Sequence, residues 1–89
     1  PIEPEEVVAL FPFEPKVGET VEFEFDEDIK KIIGHVVLAK FRSMGVAERL
    51  GFVWAAIRDR FGANSQDVSL VLAFSPEEWA AMNEQSASA

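Results

Sequence analysis

Residues 26–42 read DEDIKKIIGHVVLAKFR, and whether they coil or extend decides the fold. As a helix they set Ile29, Ile32, Ile33, Val36 and Val37 on one face after an Asp26 cap, but Lys40 then falls within that face and Leu38 lies opposite it. As a strand, Ile32 to Phe41 is apolar on both sides and rich in β-branched residues, which suits an interior position in a sheet. The extended reading is the better fit. It makes residues 26–31 a charged hairpin loop leading back to residues 20–25, and Gly34 is tolerated by either reading.

Working outward, Thr20 to Phe25 alternates, with Val21, Phe23 and Phe25 on one side and Glu22 and Glu24 on the other. That is the pattern of a half-exposed strand whose glutamates discourage edge pairing. On the other side of the deciding stretch, VAERLGFVWAAIRDRF (residues 46–61) puts Val46, Leu50, Val53, Trp54, Ile57 and Phe61 on one helical face between Gly45 and Gly62. Next, Val68 to Phe74 carries Val68, Leu70, Leu72 and Phe74 on one face and Ser69, Val71 and Ala73 on the other, and this two-sided apolarity predicts a strand sheltered within the sheet. Ser75-Pro76-Glu77-Glu78 then opens a helix, because the serine can cap, proline suits the first position and Glu78 can reach back to the cap. Trp79, Ala80 and Met82 pack that helix. At the start of the chain, Pro4-Glu5-Glu6 begins a short helix that Pro12 and Pro15 end, and Lys16 to Glu19 reads as a turn. The order helix, strand, strand, helix, strand, helix predicts a single small α+β domain, αββαβα, over residues 1–84. Its three-stranded mixed sheet carries a long central helix, and residues 85–89 form a flexible tail.

The composition fits a packed core, with 48% hydrophobic residues and eight Phe. No cysteine is present, which excludes disulfides, thiolate nucleophiles and cysteine-held metal clusters. The apolar runs are far too short to span a bilayer, and no basic-then-apolar leader opens these residues, so a soluble cytoplasmic protein is the expectation. The net charge of −8 is unevenly spread. Residues 1–28 hold ten acids against Lys16, residues 29–62 hold seven bases against Glu48 and Asp59, and the remainder is acidic again. Either the acidic start lies across the basic middle, or the middle presents a basic recognition face.

HVVLAKFRSMGVAERLGFVWAAI, VSLVLAFSPEEW and, more weakly, VEFEFDED together resemble BolA-like proteins, over about two-thirds of the chain and in register. The resemblance implies an αββαβα fold similar to the KH type, partnership with a monothiol glutaredoxin, and regulatory nucleic-acid binding. Where that family has Arg-His-Arg in its long helix, this chain has Arg49-Leu50-Gly51, and Gly45 stands in place of the family's serine. The histidines or cysteine through which the family shares an iron–sulfur cluster have no counterpart at the matching positions, so no cofactor is expected.

No residue set reads as a catalytic site or a metal site. His35 is the sole histidine and has no evident converging partners, so a hydrogen-bonded or edge histidine is favoured over a ligand. The acids from Glu22 to Asp28 lack the spacing of a calcium loop and read as a solvated edge. Lys30 and Lys31 in the hairpin loop, Lys40 and Arg42 after the second strand, and Arg49 on the helix can converge on one side. Phe52 lies off the helix's buried face, either filling a second core layer or anchoring a partner. These six residues form the candidate partner-binding flank. They make a non-enzymatic regulatory or adaptor domain that binds another protein the leading expectation, with a KH-like nucleic-acid-binding regulator as the alternative.

Overall fold

The computed structural model describes residues 1–88, with side chains through Glu84, and residues 31–37 are extended at the centre of a sheet. Strands β1 (Thr20–Asp26) and β2 (Lys31–Val37) form an antiparallel hairpin, and β3 (Val68–Phe74) runs parallel to β2. The sheet order is β1-β2-β3, so β2 is interior and both other strands are edges. Helices α1 (Pro4–Val8), α2 (Val46–Phe61) and α3 (Pro76–Ser88) complete the αββαβα order of a single α+β domain, with short 3₁₀ turns between elements.

The hairpin closes without a helix cap. Asp26 Oδ1 instead accepts the N–H groups of Asp28 (2.9 Å) and Ile29 (3.2 Å), and the Asp26 carbonyl accepts that of Lys30 at 2.8 Å. In the resulting register Phe23 faces Gly34, where a Cβ would collide with the Glu22 carbonyl and the Phe23 ring. The glycine is required because the aromatic ring occupies its side-chain space. Val21, Ile32, Val36, Val68 and Val71 from the sheet meet Val53 and Ile57 of α2, Phe41, and Val7 and Phe11 from the start of the chain, and all are buried. Ser75 and Glu78 form the expected reciprocal cap of α3, with Glu78 N–H donating to Ser75 Oγ (3.3 Å) and Ser75 N–H donating to Glu78 Oε1 (2.8 Å).

Three expectations are corrected. The second strand ends at Val37 and not at Phe41: the Leu38 N–H donates to the Phe74 carbonyl, and a 3₁₀ turn at Ala39–Ser43 then drops Phe41 into the core. Along α2, Val46 is exposed while Arg49 is buried, because the arginine's stem covers apolar surface and its head finds backbone carbonyls. Strand β3 is not sheltered. It is an edge, Leu70 and Leu72 remain 50% and 45% exposed, and an irregularity opposite Ile32/Ile33 turns Val68 to the side of Val71 and away from Leu70. Helix α3 is assigned through Ser88. Ala89 lies outside the described residues.

Candidate functional site

Two of the cations expected to share one flank, Arg42 and Arg49, are paired within the chain to adjacent acids. Arg42 makes a two-pronged bond to Glu77, Nε to Oε1 at 2.8 Å and Nη2 to Oε2 at 2.6 Å. Arg49, 6% exposed, donates from Nη1 to Glu78 Oε1 (2.6 Å) and Ala73 O (3.3 Å), and from Nε to Met44 O (2.9 Å). Both acids belong to the first turn of α3, so the partners of the basic middle come chiefly from the final helix and not from the acidic start. The bond to Arg49, with the Ser75 N–H beside it, holds the Glu78 carboxyl at about 2 against an ordinary 4.5. The bond to Arg42 lowers Glu77 and raises Arg42 in the same way.

The other three cations have contacts of their own. Lys30 reaches Glu27 at 3.3 Å across exposed loop surface, and Lys31 Nζ donates to the Gln66 carbonyl at 2.9 Å. Lys40 Nζ sits 3.5 Å from the centroid of the Phe52 ring. Phe52, 36% exposed, also lies near the rings of Phe11 (6.2 Å) and Phe41 (6.0 Å), beneath the lysine. Arg49 is therefore a structural clip between α2, β3 and α3. The Phe41 ring lies 6.0 Å from the Phe52 ring and 6.0 Å from the Arg49 guanidinium carbon, so Lys40 and Phe52 sit on the far side of Phe41 from the clip.

His35 lies on the sheet face turned away from α2. Its ring stacks on Trp79 at 4.3 Å, and Nε2 lies 3.1 Å from Glu22 Oε1, its cross-strand neighbour, off the line that a hydrogen bond needs. Among the described residues no three His, Cys, Asp or Glu side chains gather where they could hold a metal ion.

A groove of about 470 Å³ runs along β3. Val46 and Leu50 of α2 form one wall, Val71 to Phe74 form the floor, and Ala81 and Met82 of α3 form the other wall, with the Arg49–Glu78 pair set into it. Leu72 also belongs to a second depression of about 380 Å³, where Leu70 and Ile33 meet Glu22 and Glu24. Leu72 lines both hollows, and exposed Leu70 and Leu72 make an apolar strip there with carboxylates toward its β1 end. It was missed in the sequence because a strand apolar on both faces reads as interior, and nothing in VSLVLAF marks one face as bare.

These features define a small α+β domain with one open, apolar sheet edge, and none of its helices is long and apolar enough to cross a membrane among the described residues. Comparison with family models, curated proteins and solved structures returns no match, so the resemblance to BolA-like proteins stands on its residues alone.

Proposed function

We propose that this domain is a non-enzymatic protein-binding module, and that it takes a cationic protein chain on the β3 side in preference to the flank of Lys30, Lys31, Lys40 and Phe52. One observation carries this reading: Leu70, Leu72, Val46 and Met82 are large apolar side chains left exposed on and around one edge strand. Charge selects the partner's sign. Sixteen acids face eight bases, Arg42 and Arg49 are neutralised internally, and Glu22 and Glu24 border the strip with exposed carboxylates. A nucleic-acid partner would need those arginines free on one face.

The test compares the native chain with Leu72→Glu and with Lys40→Glu as affinity bait, followed by rebinding of each purified captured protein. A basic protein that rebinds the native chain and Lys40→Glu but not Leu72→Glu is the expected result. Loss through Lys40→Glu with retention by Leu72→Glu returns the site to the lysine flank.

A further inference from the structure

We infer that the β3 edge receives its partner as an added β-strand, an extended segment with alternating apolar side chains and flanking lysines or arginines. The inference rests on the protein-binding reading above and specifies its mode. Three observations support it. First, among the described residues β3 has a neighbouring strand on one side only, so the outward N–H and C=O groups of alternate residues face no strand. The Phe74 carbonyl turns inward to Leu38, and the Ala73 carbonyl turns outward to Arg49. By strand alternation Val71 points its backbone outward as Ala73 does, and Arg49 marks where the free edge stops.

Second, the groove is walled on both sides of that edge. A strand laid along β3 directs its side chains alternately to the two faces of the sheet. One set meets Val46 and Leu50, and the other meets Leu72 and Met82. A helix resting on one face of the sheet would use only one of these walls. Edge addition of this kind takes affinity from main-chain bonds and specificity from pockets for alternate side chains.

Third, the strip's own charges choose the occupant. VSLVLAF carries none, while Glu22 and Glu24 adjoin its β1 end. A second copy of this chain would bring its own net charge of −8 to the contact, whereas a strand flanked by lysines brings the complement.

The experiment titrates the native chain with a synthetic capped peptide, Lys-Lys-Val-Leu-Val-Leu-Lys-Lys, by calorimetry and by amide NMR. Two further versions carry N-methyl groups on alternate residues, one version for each edge of the peptide. Strand addition predicts that one N-methylated version loses about tenfold or more in affinity while the other keeps it, since only one edge bonds to β3. Amide shifts should centre on Ser69 to Leu72, and Leu72→Glu should abolish binding. Binding that both N-methylated versions retain, but that Leu72→Glu removes, overturns the strand mode and leaves the protein-binding reading standing. No binding of the unmodified peptide also overturns the strand mode, and the bait comparison then decides the broader reading. A dimer of the peptide-free chain that Leu72→Glu dissolves assigns the edge to a second copy and overturns the proposal.

Discussion

The two edges of this sheet are built on opposite plans. Strand β1 alternates strictly, turning Val21 and Phe23 to the core and placing Glu22 and Glu24 on the other face, where another chain approaching that edge would meet carboxylates. Strand β3 is apolar on both faces, carries no charge and lies beside a groove. Charge on an exposed edge is a common device against unwanted pairing, and an edge without it is exposed to association. In this molecule the device is present on one edge and absent from the other. The difference teaches that an edge strand should be judged by what guards it as well as by its position.

The largest expected effect breaks the guarded side. Gly34→Val places a side chain against the Glu22 carbonyl and the Phe23 ring, so β1 must move away from β2. The backbone contact cannot yield by a rotamer change, and the cost should reach about 3 kcal/mol, enough to lose the cooperative transition in a urea titration. A variant that unfolds at the native urea midpoint would show that β1 is held by something other than this pairing.

A paired substitution sharpens the comparison within β3 itself. Val71 and Leu72 are neighbours, the first buried against α2 and the second 45% exposed on the opposite face. Val71→Ala should cost about 2 kcal/mol, while Leu72→Ala should change stability by less than about 0.5 kcal/mol despite removing a larger group. Chemical denaturation at two protein concentrations measures both. A Leu72 cost that approaches the Val71 cost, and grows with concentration, would mean that copies of the chain already cover this face.

The residues that made the fold legible share a property: their local pattern and their final environment agree. VEFEF alternates and is half-exposed, SPEE caps a helix, and the residues between two glycines form α2 with its predicted bounds. The deciding stretch also extends as its β-branched residues require, though Leu38 and Phe41 lie beyond the strand and Phe41 is buried from a 3₁₀ turn. The site was less legible. Arg42 and Arg49 read as surface cations because their partners, Glu77 and Glu78, lie at least 29 residues away in sequence and already had a role as helix-start residues. Leu70 and Leu72 read as core because hydropathy records what a residue tolerates and cannot report whether a neighbouring element reaches it. Sequence periodicity therefore located the elements, and the unmet apolarity of β3 became visible only once the sheet order was known.

Next in size is the clip at the end of the groove. Glu78→Gln removes the charged partner of buried Arg49 while leaving a side chain able to accept the Ser75 N–H. Because the Glu78 carboxyl is held at about 2 in the folded chain against an ordinary 4.5, its contribution is complete above pH 4.5 and is lost as pH falls toward 2. The native chain should therefore melt higher than Glu78→Gln near neutral pH, and the two curves should converge as the solution is acidified through that window. A gap that stays constant down to pH 2 would show that the carboxylate charge is not what binds the clip.

The smallest expected effect on stability tests the guarded edge directly. Glu22→Thr with Glu24→Thr introduces β-branched side chains suited to a strand while removing two exposed carboxylates, so the folded chain should change by less than about 0.5 kcal/mol. Association is where the change should appear. With β1 stripped of charge and the net charge reduced from −8 to −6, pairing along this edge meets less repulsion, and the sedimentation coefficient of the double variant should rise with concentration while that of the native chain does not. Placing Leu72→Glu in the same background separates the edges: association that persists runs through β1, whereas association that disappears runs through β3. The second outcome would mean that Glu22 and Glu24, at the margin of the apolar strip, guard the β3 groove from across the sheet as well as their own edge.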